Sequence, residues 1–354
     1  MTDLDDLEAL RSGDPGGMLA TVAALPSQCA EGYSAGRTVA DLPSVDDVTA
    51  VTFCGMGGSA VAGDVLRALY RERLGVPFDV SRGPVLPAYC GPRTLVIASS
   101  YSGGTAETIA CFREAVARGC RVIAIASGGS MASEARAGGY AVVPAPPGFM
   151  PRAALGHIAF GAIGALESVG LIPQAASDVE GTVTELTALA SRLGPRVPRA
   201  SNDAKELAWQ IGDRVPVIWG AEGLGAVAAA RWKTQFNENA KIPAWCSALP
   251  ELDHNEVVGW TRPAGDAFMV IALRHDEEHP DVAARFPLSL DIAREAGAVT
   301  AEEWAAGRSA LTRLFSLILM GDFTSTYLGL LRGADPSPIA AIERLKAALA
   351  EADR

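Results

Sequence analysis

The sequence predicts an α/β protein: two doubly wound parallel-sheet domains joined by a helical connection. Three observations lead there. The chain has 354 residues, more than one ordinary domain of ~100–200 residues would use. Short β-rich runs alternate with helical segments in both halves, the pattern of an open parallel sheet covered by helices. Between the halves, residues 153–195 keep apolar residues at helical spacing with no strand among them.

Taken in order, residues 3–36 read as two helices broken near Gly13-Asp14-Pro15. A strand at 48–54 precedes Gly55-Met56-Gly57-Gly58 and a helix from 59 to 74. Strands at 78–81 and 95–99, a helix at 105–118, a strand at 121–126, a helix at 131–137 and a strand at 140–144 complete the first half. The second half comprises a helix at 203–211, a strand at 215–219, a helix at 224–240, a strand near 267–273, and helices over 305–331 and 337–352. This divides the chain into residues 1–152, a connection over 153–198, and residues 199–354.

Composition bounds the possible functions. At 49% hydrophobic and 20% charged residues there is apolar material for two cores, and with 6% aromatics the packing falls to Ala, Val, Leu and Ile. A net charge of −11 opposes nucleic acid and anionic membrane surfaces, so a phosphate ligand would need its own local donors. The six cysteines form no C-x-x-C pair, and Cys54 and Cys246 lie in apolar, strand-like runs that suggest buried thiols. The acidic N-terminus has no apolar signal core, and no run of 18 or more apolar residues suggests a membrane span. The expected location is cytoplasmic.

Two loops carry the first chemical signal. The segment from Cys54 through Gly57, Gly58, Ser59 and Ala60 lies between a strand and a helix. Glycines there let the backbone approach a ligand while the helix N-terminus offers free N–H groups to an anion. The same residues fit G-x-G-x-x-A, with Asp79 near the place of a ribose-binding acid, so a dinucleotide site and a plain turn are equally open on this loop alone. The second loop separates these readings. Ser99-Ser100-Tyr101-Ser102-Gly103-Gly104-Thr105 opens a helix with more hydroxyls than one N-cap requires, and a dense set of neutral donors suits a phosphate monoester. The pair of loops resembles those of sugar-isomerase (SIS) domains. By position, Ser59, Ser100, Ser102 and Thr105 would grip the phosphate, and Gly57 and Gly58 would allow its close approach.

The second half supplies a more specific stretch, from Arg231 through Asn237-Glu238-Asn239-Ala240-Lys241, followed by Asp253-His254-Asn255-Glu256. With Gly321-Asp322-Phe323-Thr324-Ser325 and Lys346, this resembles the bifunctional phosphoglucose/phosphomannose isomerases, across nearly the whole chain after residue 50. The resemblance implies a cofactor-free aldose–ketose isomerase acting on glucose or mannose 6-phosphate and fructose 6-phosphate. It also implies a homodimer whose catalytic histidine can come from the neighbouring subunit. Isomerisation through an enediol needs a base to carry a proton between C2 and C1, and Glu238 is the candidate. Opening the sugar ring needs a second acid/base, for which His254 is suited because its charge changes near neutral pH. The resemblance adds Lys346 at the ring oxygen and Arg152 against charge on the enediolate. Ordinary fates compete with these roles: most glutamates and lysines sit on solvated helix faces, and a lone histidine in a turn is usually structural. His157, His275 and His279 lack comparable context, and no paired His and Glu spacing suggests a metal. A non-catalytic sugar-phosphate sensor, a nicotinamide-dependent dehydrogenase and an isomerase of another phosphorylated sugar are the alternatives.

Overall fold

The computed structural model describes residues 2–352. Three helices open the chain, not the two expected: α1 (Leu7–Gly13), α2 (Met18–Ala23) and α3 (Leu25–Thr38). The Asp14 carboxylate accepts from Met18 N at 2.7 Å and Leu19 N at 2.8 Å, which starts α2. Pro26 sits in the first turn of α3, where a missing N–H does no harm.

The first sheet holds β1 (Ala50–Gly55), β2 (Phe78–Ser81), β3 (Thr94–Ser99), β4 (Arg121–Ala126) and β5 (Ala141–Pro144). Helix α4 (Gly57–Tyr70) follows β1, α5 (Ala106–Ala117) follows β3, and α6 (Gly129–Ala137) follows β4. All pairings are parallel, in the order β2-β1-β3-β4-β5. From β1 the chain crosses to one side of the sheet, and from β3 to the other. The loops after these two strands therefore part and leave a crevice at their carboxyl ends. Both hydroxyl- and glycine-rich loops lie there.

Helices α7 (Leu155–Ser168), α8 (Ala176–Leu193) and α9 (Asp203–Ile211) lead to the second sheet. It contains β6 (Val215–Ala221), β7 (Trp245–Leu249), β8 (Phe268–Arg274) and β9 (Val299–Trp304), parallel in the order β7-β6-β8-β9. Helix α10 (Leu224–Glu238) joins β6 to β7. Helices α11 (Pro280–Ala283) and α12 (Arg285–Glu295) lie between β8 and β9, and α13 (Ala310–Leu331) and α14 (Ala340–Ala352) close the chain.

Successive strand residues point to opposite faces, and both faces of each sheet are covered. Phe53, Ile97 and Ile125 face one way and Cys54, Val96 and Ala124 the other, where Cys111, Phe112 and Ala115 of α5 meet them. In the second sheet Ile218 and Ile271 face inward while Trp219 and Val270 pack on Phe286 and Leu290 of α12. The inward faces of both sheets belong to one apolar cluster, with α7 and α13 between them. Phe160 and Phe315 join these two helices edge to face, with centroids 4.8 Å apart.

Helix α13 has no unbroken run of 18 apolar residues, yet by length and composition alone it could cross a membrane. Its 22 residues pass by length and by a mean hydropathy of 1.5, yet the whole apolar window is buried in the fold. A helix surrounded by α8, α9 and α10 is buried on every side, and its polar residues, Asp322 and Ser325 among them, are hydrogen-bonded inside the fold. It begins at Ala310, not near 305, because Ser309 caps it by accepting from Thr312 N at 3.1 Å. Strands β7 and β9 and helix α12 were not expected. Both strands are sheet edges, and β9 carries the adjacent Glu302 and Glu303 on opposite faces in place of a clean alternation. Cys246 lies on β7 and is partly exposed, not buried.

Helices α3 and α7 approach closely because glycines face each other. A Cβ on Gly36 would strike the Gly161 carbonyl oxygen and lie 2.8 Å from Ala165 N. Backbone cannot yield as a side-chain tip can. Gly36→Ala is expected to destabilise the protein by ~1–3 kcal/mol, read as a lowered midpoint in chemical denaturation. An unchanged midpoint would show that α3 and α7 can separate freely.

Candidate active site

The crevice between β1 and β3 is built by two helix starts. Met56 precedes α4 and Thr105 precedes α5, and neither side chain caps its own helix, so first-turn N–H groups remain available apart from Ser59 N, which donates to Met56 O at 3.1 Å. Gly57, at φ +52°, makes the turn that Met56 could not continue. Ser59 Oγ accepts from Tyr101 N at 3.2 Å, which ties the first loop to the second. Ser100 Oγ donates to Thr105 Oγ1 at 2.9 Å, leaving the Thr105 hydroxyl hydrogen to point elsewhere. Ser102 is exposed, and its Oγ accepts from Gly104 N at 3.2 Å.

The second loop is held from behind. Gly103 and Gly129 both have positive φ, and their backbones pass so closely that a Cβ on either would hit the other's loop. Met131 N donates to Gly103 O at 3.0 Å, and Ser127 N to Tyr101 O at 2.8 Å. The Tyr101 hydroxyl donates to Pro146 O and accepts from Phe149 N, each at 2.8 Å. A loop braced by its neighbours binds a ligand without first paying to become ordered.

Arg152 stands beside the first loop. A Cβ on Gly58 would lie 2.9 Å from both Arg152 Cα and Pro151 O, so only glycine lets α4 start against this residue. The Arg152 side chain is 2% exposed and reaches across to the second half. Its Nη1 lies 3.4 Å from Glu238 Oε2, and its Nε donates to Asn239 Oδ1 at 2.8 Å. Its Nη2 donates to Pro336 O at 2.6 Å and Ser337 O at 3.1 Å. Burial pulls the guanidinium below its ordinary pKa, and the Glu238 charge opposes that pull. Glu238 ends α10 with 27% of its side chain exposed, so the carboxylate is open to a ligand on one side.

Four residues that sequence reasoning did not single out hold this arrangement. Arg231 pairs with Asp322, Nε to Oδ1 at 3.1 Å and Nη2 to Oδ2 at 2.8 Å, while Nη2 also reaches Arg152 O at 2.6 Å. Asn239 connects Arg152 to α13 through Ser325 Oγ at 3.1 Å. Lys241, at φ +58°, donates to Pro336 O at 3.0 Å and Pro338 O at 2.7 Å. Asn239 and Lys241 lie inside the run already noted around Glu238, which was the available signal. The Arg231–Asp322 pair spans 91 positions and leaves no local pattern.

The structure thus links Gly58, Arg152 and Glu238 in one chain of contacts between the halves, and sets Gly57, Ser59, Ser100, Ser102 and Thr105 on the two loops that follow β1 and β3. It does not bring His254 or Lys346 into the hydrogen-bond network around Arg152 and Glu238. His254 is exposed in a 3₁₀ turn after β7. The following Glu256 is fixed by Trp219 Nε1 at 2.9 Å and by the Ser247 hydroxyl. Lys346 lies on α14, exposed throughout residues 341–349. Of the remaining histidines, His157 and His275 are buried, and His279 caps α11.

Comparison with known proteins places this geometry. Residues 47–152 match the SIS domain family, and residues 200–349 match the bacterial phospho-glucose isomerase C-terminal SIS domain. A bifunctional phosphoglucose/phosphomannose isomerase from Caldicellulosiruptor bescii is 38% identical over 94% of this chain and 99% of its own length. One from Aquifex aeolicus is 33% identical over 84% of this chain and 89% of its own. Among solved structures, a glucose-6-phosphate isomerase-like protein from Thermus thermophilus superposes with a TM-score of 0.62 at 21% identity, covering 95% of this chain and 98% of that one, which shows a shared fold. With two SIS domains and relatives of this identity along nearly its whole length, the chain belongs to the bifunctional phosphoglucose/phosphomannose isomerase family.

Proposed function

We propose that this protein is a cytoplasmic aldose–ketose isomerase that interconverts glucose 6-phosphate and mannose 6-phosphate with fructose 6-phosphate through an enediolate. The observation that carries this reading is a carboxylate and a buried guanidinium, Glu238 and Arg152, set against a loop of anion-suited donors. The phosphate enters the crevice between β1 and β3. There it meets the hydroxyls of Ser59, Ser102 and Thr105 and the free N–H groups at the start of α4 and α5, with Ser100 orienting Thr105.

Held by its phosphate, the sugar extends toward the second half. Glu238 takes the proton from C2 and returns it to C1, and the reverse step uses the same carboxyl. Charge gathers on the oxygens of C1 and C2 as the enediolate forms, and the Nη1 edge of Arg152 is the cation beside it. Glucose and mannose 6-phosphate differ only at C2 and share this intermediate, so one base facing both sides of a rotated sugar serves both. His254 moves protons between O5 and O1 to open the ring, and Lys346 assists at O5. Both are exposed in the single chain, and we infer a homodimer in which a second copy completes the site with His254.

A coupled assay of the purified protein on each aldose, reading fructose 6-phosphate, tests the proposal directly. Binding without turnover of either would leave a sensor in its place. Glu238→Gln keeps the shape of the side chain but cannot take a proton, so turnover should fall ~10²–10⁴-fold with substrate binding retained. Near-normal turnover would remove Glu238 from the role of base.

Thr105→Ala together with Ser100→Ala is expected to raise KM, the lost Thr105 hydrogen bond to a charged oxygen costing ~1.5–3 kcal/mol. Inorganic phosphate should compete with substrate in the wild type. An unchanged KM in the double variant would place the phosphate elsewhere.

His254→Ala should harm turnover of the cyclic sugar far more than proton exchange at C2 of an aldose phosphate lacking the C5 hydroxyl. That analogue cannot close its ring, so it bypasses the step assigned to His254. Equal loss with both compounds, in protein whose oligomeric state is unchanged, would assign His254 to proton transfer or to the fold.

A further inference from the structure

Asn239 has no solvent exposure, and its amide joins parts of the site that come from distant segments. Its Oδ1 accepts from Arg152 Nε at 2.8 Å, and its Nδ2 donates to Ser325 Oγ at 3.1 Å, with Thr326 Oγ1 at 3.5 Å. Both hydroxyls already donate to Asp322 O, at 3.0 Å from Ser325 and 2.7 Å from Thr326. Their hydrogens are committed, so they can only accept from Asn239, and the guanidinium can only donate to it. The amide therefore has one orientation. Asp322 in turn holds Arg231, which binds the Arg152 carbonyl at 2.6 Å.

The donors of Arg152 complete the picture. A guanidinium has five N–H groups in a fixed fork. Nε points at Asn239, and the two hydrogens of Nη2 are used by Pro336 O and Ser337 O. One Nη1 hydrogen faces Glu238, leaving the other as the single uncommitted donor. The Nε bond fixes the rotation of the plane and so fixes where Nη1 points. The Arg152–Glu238 separation is 3.4 Å, looser than a closed two-point ion pair. A closed pair would make the carboxylate a weaker base and occupy the free Nη1 edge.

We propose that Asn239 is a positioning residue for the isomerisation: it sets the guanidinium of Arg152 so that Glu238 stays basic and Nη1 stays open to the enediolate. This rests on the reading of Glu238 and Arg152 given above. Asn239 touches neither the phosphate crevice nor the reacting carbons, so its effect belongs in kcat and in the pH dependence, not in KM.

The test compares Asn239→Ala and Asn239→Asp in the full-length protein. In both, kcat should fall by about 10²-fold, the loss expected when a reacting group is misplaced by about an ångström, with KM changed by less than about threefold. The acid limb of the kcat/KM profile should move in opposite directions. Without the amide, Arg152 closes on Glu238 and the limb moves to lower pH. With an added carboxylate beside Glu238, it moves to higher pH. A merely structural role would give no such opposed shifts. Competition by inorganic phosphate, unchanged from wild type, shows that the first half remains folded. Should a residue 239 variant fail to fold, Ser325→Ala decides, since it removes the nearer acceptor behind the amide, along with one bond to Asp322 O, and leaves Asn239 itself in place. That variant should lower kcat severalfold at unchanged KM. A kcat within twofold of wild type in a folded Asn239→Ala, or in Ser325→Ala if that is the variant that folds, overturns the inference. So do acid limbs that move together or not at all. A wild type inactive on both aldoses overturns the functional reading and this inference with it. An active wild type with inert-to-change variants overturns this inference alone.

Discussion

Arg152 takes a permanent positive charge into the interior, where a lone ion would cost several kcal/mol. The fold meets that demand from two directions, since the end of α10 supplies Glu238 and Asn239 and the turn before α14 supplies two carbonyls. Arg231 holds the backbone of Arg152 through its carbonyl. Because Gly58 packs directly on Arg152, the start of α4 is registered to the same point. One buried cation thus sets the distance between the anion crevice in the first half and the carboxylate in the second. Moving any of these groups would leave the guanidinium short of an acceptor, which is why the site resists gradual distortion.

That local demand is backed by the packing around it. The inner faces of the two sheets share one apolar cluster, with α7 and α13 between them and Phe160 meeting Phe315. Two domains with separate cores rock easily about a polar interface, whereas a continuous apolar interior does not. The glycines between α3 and α7 and the contact of Gly321 with Trp232 bring helices close enough to leave little slack. The Arg152–Glu238 contact is therefore framed by rigid elements, and the two proposed site residues left exposed, His254 in its turn and Lys346 on α14, lie outside that frame.

How much of this was legible in the sequence depends on how local each feature is. The crevice loops were readable because hydroxyls and glycines cluster within a few residues at helix starts, and Ser100 and Thr105 do bond to each other. Glu238 stood out within its run, while Arg152 was suggested by family resemblance alone. Asp322 and Arg231 could not be paired from sequence, since nothing local connects positions so far apart. Strands β7 and β9 were missed because edge strands are half-covered and their alternation is diluted by Ser247, Glu302 and Glu303. Helix α13 was legible as a helix over 305–331, although Asp322, Thr324, Ser325 and Thr326 interrupt its apolar run and all of them are buried.

The crevice at the carboxyl ends of β1 and β3 offers a ligand hydroxyls and peptide N–H groups rather than counter-ions. Dipoles fixed in place are little weakened by dissolved salt, and they hold a dianion without locking it in. In an aldose–ketose pair the phosphate is chemically the same on both sides of the reaction and lies several bonds from the carbons that change. Whatever affinity the crevice contributes is shared by the two sugars and cancels from their ratio. It can saturate the protein with either one, but it gives the catalyst no direction of its own. Net flux is then dictated by which sugar the surroundings supply and which they remove.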